Sequence, residues 1–89
     1  MSNFVYLFKN GDLYNIGCTN NIDRKKQNLK PGNLIATMKS DESDVICKQL
    51  QSIYQEERLP SSEYFRLSKS QASECKRQLE EIGGSNYYQ

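Results

Sequence analysis

The chain has 89 residues, a formal net charge of +1, 36% hydrophobic residues and 26% charged residues. A chain of this length forms one small domain with a modest core, and this composition is typical of a globular protein with a polar surface. It contains no run of about 18 apolar residues and no N-terminal secretion signal, so we expect a cytoplasmic protein. The nearly balanced charge argues against tight binding to nucleic acid through overall charge, and leaves a local basic patch as the alternative.

The strongest local signal is an N-terminal hairpin. Two apolar and aromatic runs flank Asn10-Gly11, a dipeptide typical of a two-residue type I′ loop. With that loop, Tyr6 would pair with Asn15. Side chains alternate along a strand, so each face of the hairpin collects every second residue. The two predicted faces carry Phe4, Tyr6, Phe8, Leu13 and Asn15 on one side, and Val5, Leu7, Tyr14 and Ile16 on the other. Because both faces are largely apolar, we expect the hairpin to lie at the centre of the domain.

A helix and a strand are predicted after the hairpin. Thr19 or Asn20 is suited to cap a first helix over residues 21–29, and Pro31-Gly32 ends it. Its apolar spacing is poor, since Lys25 and Lys26 interrupt the stripe. Residues 33–39 alternate weakly and are predicted as a third strand.

Two further helices are predicted in the second half. The first covers residues 44–57, and its apolar side is formed by Ile46, Leu50, Ile53 and Tyr54. After a short extended segment at residues 63–67, Ser68 and Gln71 match a capping box for the last helix. We predict that this helix ends at Gly83-Gly84. Residues 1–84 would then form one domain and residues 85–89 a flexible tail.

Together these elements predict an α+β fold, in which a small three-stranded antiparallel sheet is flanked by about three helices. The three cysteines, Cys18, Cys47 and Cys75, are far apart and form no C-x-x-C pattern. The sequence also has no histidine, the usual partner of cysteine in zinc sites. We therefore expect three reduced, mostly buried thiols and no metal site.

Two segments resemble a known family. Val5-Tyr6-Leu7 and residues 14–25, which begin Tyr14-Asn15-Ile16-Gly17, resemble the pattern VY…YKIGxTxN…RR of short, single-domain GIY-YIG nucleases. Residues 58–67, which read Arg-Leu-Pro-Ser-Ser-Glu-Tyr-Phe-Arg-Leu, resemble the family's later pattern R-x-P…E-[WY]-F-x-L. The similarity covers nearly the whole chain, and it implies the same sheet flanked by helices.

The resemblance also implies a set of catalytic positions for cutting phosphodiester bonds. The family uses a tyrosine in its first motif, a tyrosine or lysine in its second, an arginine on the first helix and a metal-binding glutamate in the pattern E-x-x-L-H. In this chain those positions, with the frequent histidine last, fall on Tyr6, Asn15, Lys25, Cys47 and Gln51. Only the first tyrosine is kept, so the resemblance implies a site with degenerate catalytic positions.

Each replacement removes chemistry that the family uses. A thiol at Cys47 is a poor ligand for a hard divalent cation, and without the cation nothing polarises the phosphate. Lys25 is a point charge where the planar arginine side chain would spread charge. Asn15 can form hydrogen bonds but cannot act as an acid or a base. We expect a pseudo-nuclease without a cofactor, in which Tyr6 has mainly a structural role.

Positive charge is concentrated next to this site, at Arg24, Lys25, Lys26 and Lys30. Such a cluster could hold the phosphates of DNA or another nucleic acid without cutting them, although a solvated helix face is the alternative. We therefore favour a binding module for nucleic acid or for a protein partner. One alternative is an active endonuclease that uses Mg²⁺ or Mn²⁺ with Asp44 or Glu63 as a substitute carboxylate. The other is a pure protein-interaction domain, which would use Tyr87, Tyr88 and the cleft that holds the active site in the nuclease family.

Overall fold

The computed structural model describes residues 3–87, and side chains within residues 3–81. It confirms the predicted α+β fold, with four strands instead of three. In chain order, the elements are β1 (Asn3–Asn10), β2 (Leu13–Thr19), α1 (Ile22–Asn28), β3 (Asn33–Ser40), α2 (Ser43–Ile53), a 3-10 turn (Gln55–Glu57), β4 (Tyr64–Phe65) and α3 (Lys69–Tyr87). None of the helices within residues 3–87 has the length and apolar content needed to span a membrane.

The sheet is antiparallel, with the strand order β3-β1-β2-β4. The β1–β2 hairpin therefore occupies its centre, as predicted. The fourth strand has only two residues, and it pairs Phe65 with Tyr14 and Tyr64 with Asn15. Alternation cannot be recognised in so short a segment, and the sequence predicted this stretch only as extended.

The predicted hairpin register is wrong. Gly11 and Asp12 form the loop, so Asn10 pairs with Leu13 and Tyr6 lies opposite Gly17. Gly11 has a φ of 63° and occupies the first loop position, where a type II′ loop favours glycine. The shift moves each partner by two residues, and two is the period of a strand. The predicted faces of the hairpin are therefore kept although the partners change.

The two faces of the hairpin are buried in different surroundings. Val5, Leu7 and Ile16 belong to the main core, which also contains side chains of β3, α2, β4 and α3. On the opposite face, the rings of Tyr6 and Phe8 meet edge to face, with centroids 5.3 Å apart, and both side chains are buried. Of the candidate functional residues, Tyr6 and Asn15 lie on this second face. Cys47 and Gln51 are on α2, and Cys47 belongs to the main core on the first face.

The first two helices differ from prediction in detail. Asn21 caps α1, in place of Thr19 or Asn20, because its side-chain oxygen accepts a hydrogen bond from the backbone N–H of Arg24 at 3.0 Å. In α2, Ile53 is 57% exposed, so the predicted apolar side is partly wrong. The buried side of the segment is formed by Ser43, Cys47, Leu50 and Tyr54.

The start of α3 confirms the capping box. The Gln71 side chain accepts from the Ser68 N–H at 2.9 Å, and the Ser68 hydroxyl accepts from the Gln71 N–H at 3.1 Å. The predicted end at Gly83-Gly84 is wrong, because the helix continues to Tyr87. A glycine inside a helix costs only about 1 kcal/mol of stability relative to alanine, so two glycines are not enough to end α3. The predicted flexible tail thus lies partly in α3, and residues 88–89 lie outside the described residues.

Candidate functional site

The site is built around Tyr6, which the β1–β2 register places opposite Gly17. A Cβ atom placed on Gly17 would be 2.5 Å from the Tyr6 hydroxyl oxygen and 3.2 Å from a carboxylate oxygen of Glu63. The absence of a side chain at Gly17 therefore lets the phenol and the carboxylate approach the same point. The backbone of Glu63 is fixed there, because its carbonyl accepts a hydrogen bond from Ile16 N–H at 3.2 Å.

The hydroxyl of Tyr6 is buried and makes no hydrogen bond to any residue in the described part of the chain. Burial raises the pKa of this phenol above its usual value, and the nearby carboxylate of Glu63 raises it further. Both effects disfavour the phenolate, so the hydroxyl keeps its proton at neutral pH. Tyr6 thus has a buried, protonated hydroxyl that donates no hydrogen bond to the described residues.

The helix α1 places one basic residue, Lys25, over this tyrosine. The Nζ atom of Lys25 lies 5.8 Å from the centroid of the Tyr6 ring, within the range of a cation–π contact. Arg24 and Lys26 are exposed on the same helix, and Lys30 is exposed just after its end. The four predicted basic residues are therefore near one another in the chain, but only Lys25 contacts the Tyr6 ring.

The Cys47 thiol is buried on α2 and faces β2. The Cys18 thiol lies close enough to influence its pKa, and it donates a hydrogen bond to a carboxylate oxygen of Asp44 at 3.4 Å. Burial, followed by the charge of a Cys18 thiolate, raises the pKa of the Cys47 thiol to about 12. At neutral pH both thiols are protonated, since burial and Asp44 also raise the pKa of Cys18.

Asn15 and Gln51 occupy the other two predicted positions. Asn15 is 5% exposed, and its side-chain oxygen has no hydrogen-bond partner among the described residues. Gln51 donates from its amide nitrogen to the carbonyl of Ile16 at 2.7 Å, which ties α2 to β2. Gln51 therefore has a bracing contact, while Asn15 contributes a buried polar atom on the same sheet face as Tyr6.

Comparison with known proteins identifies the family. Residues 3–80 match the model of the T5orf172 domain, which describes a nuclease-like family related to the GIY-YIG nucleases. The chain belongs to the T5orf172 family. No curated protein and no solved structure gives a significant match. The match covers every element from β1 to most of α3, so the site described above lies within the T5orf172 domain.

The residues at these positions do not fit the divalent cation that the GIY-YIG resemblance implies for a T5orf172 domain. Hard cations prefer several oxygen ligands, whereas the glutamate position holds a buried, protonated thiol at Cys47. Within the described residues, no group of three or more histidine, cysteine, aspartate or glutamate side chains is arranged to hold a metal ion. Asp44 and Glu63 both lie near Cys47, but Asp44 is engaged with Cys18.

The sequence analysis did not predict that Cys18 lies near Cys47 or that Glu63 lies near Tyr6. Cys18 follows Gly17 on β2, and strand alternation alone places it on the face toward α2. Glu63 was considered as a substitute carboxylate and, more plausibly, as a residue that braces the fold; its approach to Tyr6 depends on the pairing of β4 with β2. Alternation predicts the face on which Cys18 lies, but it predicts neither contact, because each joins elements more than twenty residues apart in the sequence.

Proposed function

We propose that this T5orf172 domain binds nucleic acid through α1 and does not cut it. The observation that carries the proposal is the position of Lys25, whose ammonium group lies over the ring of the buried Tyr6. A helix with three basic residues thus covers the position where the related nucleases hold their first tyrosine. The helix thus provides a positively charged surface at the site, whereas the side chains of Tyr6, Asn15 and Cys47 are buried and neutral.

The protonation states support the absence of cleavage. A tyrosine that removes a proton from water must first lose its own, and burial together with Glu63 disfavours that loss at Tyr6. The Cys47 thiol is neutral at physiological pH and offers no anionic oxygen. Asn15 has no titratable group, so none of the three side chains Tyr6, Asn15 and Cys47 carries the negative charge that the family's reaction needs at these positions.

The exposure of α1 supports binding of phosphates. Arg24, Lys26 and Lys30 are exposed and lie within seven residues of sequence, so they are free to contact a charged backbone. The Asn21 cap orders the start of the helix, and the basic residues of its last turn interact favourably with the helix dipole. Lysine and arginine contacts to phosphates release counterions, and binding of this kind weakens steeply with salt.

The test is a titration of a fluorescent DNA duplex at two salt concentrations. We expect binding at low salt, a steep loss at higher salt, and a salt slope that falls by about 0.9 for each phosphate contact removed. Lys25→Ala and Lys26→Ala should each weaken binding, whereas Lys39→Ala, an exposed lysine on β3, is the matched control. Equal effects of all three substitutions, or no binding at low salt, would contradict the proposal and favour the protein-interaction alternative.

One observation favours a second candidate, an endonuclease with a rearranged site. Because Gly17 has no side chain, a carboxylate oxygen of Glu63 and the hydroxyl of Tyr6 both lie near the same point, and Glu63 is one of the two substitute carboxylates of that alternative. The purified protein should therefore be incubated with supercoiled plasmid and Mg²⁺ or Mn²⁺. Nicking that is lost in both Tyr6→Phe and Glu63→Gln would replace the binding proposal with the endonuclease; intact plasmid supports the non-cutting module.

A further inference from the structure

A second cationic site lies on the opposite face of the sheet. There, a cavity of about 340 Å³ opens between the β1–β2 hairpin, β3 and the first two turns of α3. Its rim carries three lysines and its floor three less polar residues. They are Lys9, Lys69 and Lys76 on the rim, and Tyr14, Ile35 and Ala72 on the floor. Tyr14 and Tyr6 point to opposite faces of the hairpin, so this cavity is separate from α1.

The rim has an unbalanced charge. Lys69 and Lys76 are seven residues apart on α3, which places them two turns apart on one side of the helix. Lys9 comes from β1, with its Nζ atom 5.9 Å from the centroid of the Tyr14 ring. No aspartate or glutamate is among the described residues that line the cavity. Three positive charges around one cavity, with no carboxylate among the residues that line it, produce a positive potential there, which favours binding of an anion.

The floor supplies apolar contact beside these charges. Tyr14 and Ile35 are half-buried and pack against the main core, and Ala72 belongs to that core. An apolar floor lowers the local dielectric constant and strengthens the attraction between the lysines and an anion. It also offers a surface for a nonpolar part of the same ligand. Ser73, which also lines the cavity, adds a hydroxyl that can donate to a phosphate oxygen.

We propose that this cavity binds a small organic phosphate with at least two negative charges. Its phosphate groups would contact Lys9, Lys69 and Lys76, and its nonpolar part would lie on Tyr14, Ile35 and Ala72. The volume is near the lower end of the range of about 300–1,000 Å³ found for small-molecule sites, which favours a compact ligand. The inference does not depend on the proposed function, because α1 lies over the other face of the sheet.

The test is an NMR titration of the ¹⁵N-labelled protein with adenosine diphosphate, pyrophosphate and adenosine as three separate probes. We expect adenosine diphosphate to bind more tightly than either of the others and to shift the amides of Tyr14, Ile35, Ala72 and Ser73. Shifts centred on residues 24–30, or no shifts, would overturn the proposal. Binding of pyrophosphate or of adenosine as tight as that of adenosine diphosphate would also overturn it, because the proposed site needs both the charge and the nonpolar part of the ligand.

Substitutions separate this cavity from the α1 surface. Lys69→Gln and Lys76→Gln should each weaken binding of adenosine diphosphate by about tenfold, since a charge-assisted hydrogen bond is lost. Lys25→Ala and Lys39→Ala should leave it unchanged. Both glutamine variants keep a long, exposed side chain, so their spectra should otherwise match that of the unchanged protein. Weakening by Lys25→Ala as large as that by Lys76→Gln would overturn the assignment to the cavity.

Discussion

The hydroxyl of Tyr6 occupies the space in which a side chain at Gly17 would begin. A Cβ atom on Gly17 would be 2.5 Å from that oxygen and 2.9 Å from the ring carbon that carries it. Neither distance is compatible with an undisturbed structure, because Tyr6 is fully buried and its ring is held against Phe8. Gly17 is therefore required by a cross-strand neighbour, and its role at the site is to make room for the phenol.

Gly17→Ala should accordingly destabilise the fold. The added methyl group must displace the Tyr6 ring or the β2 backbone, and overpacking of this kind costs about 1–3 kcal/mol. The measurement is the free energy of unfolding from urea denaturation. In a Tyr6→Phe background the closest atom is gone, so the same substitution should cost measurably less.

Gly11→Ala is the control for this experiment. Gly11 also has a backbone requirement, with a φ of 63°, but nothing lies within 4 Å of a Cβ atom placed there. Alanine at this position is strained by about 1–2 kcal/mol whatever residue occupies position 6. A penalty for Gly17→Ala that is the same with and without the Tyr6 hydroxyl would show that the contact is not the cause.

The buried thiols predict a loss of stability at alkaline pH. Burial raises the pKa of Cys47 and of Cys75 to about 12, from an ordinary value of 9.0. Between these pH values the folded protein keeps protons that the unfolded chain has lost. The free energy of unfolding must then fall as pH rises, by about 1.4 kcal/mol per pH unit for each thiol. Urea denaturation between about pH 7 and pH 11 measures this slope.

Cys75→Ala tests which groups carry the slope. Cys75 is fully buried in the main core, and its pKa is raised by burial and by the charge of Glu74. The substitution lowers stability at every pH through lost packing, so the informative quantity is the change of stability with pH. We expect that change to become smaller by about 1.4 kcal/mol per pH unit above pH 9. An unaltered slope would mean that this thiol already titrates normally in the folded protein.

The sequence predicted the parts of the fold that depend on near neighbours. The capping box at Ser68 and Gln71 and the two faces of the hairpin follow from spacings of three and two residues, and the structure has both. The hairpin register failed because Asn10-Gly11 and Gly11-Asp12 are both plausible loops, and Gly11 has a positive φ in either. The structure excludes the type I′ loop because Asn10 belongs to β1 and does not have a positive φ. A register error of two residues leaves the same side chains on each face of the hairpin, so the alternation of apolar residues could not reveal it.

The site was predictable as a set of positions but not as an arrangement. Tyr6 and Lys25 were expected together from the family pattern, and the structure brings Lys25 over the Tyr6 ring. The approach of Glu63 to Tyr6 was not expected from the sequence, because it depends on the pairing of β4 with β2. Likewise the hydrogen bond between Cys18 and Asp44 depends on how α2 packs on the sheet. Such contacts are set by tertiary packing, which periodicity does not report.

The Asn21 cap predicts a link between helix order and binding. The α1 helix has only seven residues and none is buried, so packing contributes little to its stability. Asn21→Ala removes the hydrogen bond to the Arg24 N–H and should cost about 0.5–2 kcal/mol locally. We expect weaker binding of a DNA duplex although no positive charge is removed, and faster hydrogen exchange at residues 24–26.

Ser68→Ala is the matched control, because it removes an equivalent cap from α3. It should lower the free energy of unfolding by a similar amount and leave DNA binding unchanged. Equal loss of binding in both variants would show that global stability, and not the order of α1, controls the interaction.

Cys47→Glu tests whether the site has lost its capacity for a cation. The substitution restores the carboxylate of the related nucleases, beside Cys18 and within electrostatic reach of Asp44 and Glu63. Without a cation, a buried carboxylate near other negative charges should lower the free energy of unfolding at neutral pH by about 3–5 kcal/mol, and by less near pH 4, where it is protonated. Mn²⁺ should recover part of this loss, by about 2.7 kcal/mol at a concentration of one hundred times its Kd.

The comparison that decides this prediction is with the unchanged protein and with Cys47→Gln. Glutamine has the shape of glutamate without its charge, so Cys47→Gln should respond to neither Mn²⁺ nor acid. The unchanged protein should also keep the same melting temperature when Mn²⁺ is added, because its Cys47 thiol is neutral and its Asp44 is engaged by Cys18. A rise in the melting temperature of the unchanged protein that disappears in Glu63→Gln would instead show that a natural carboxylate holds a cation beside Tyr6, and the non-cutting proposal would lose its physical basis.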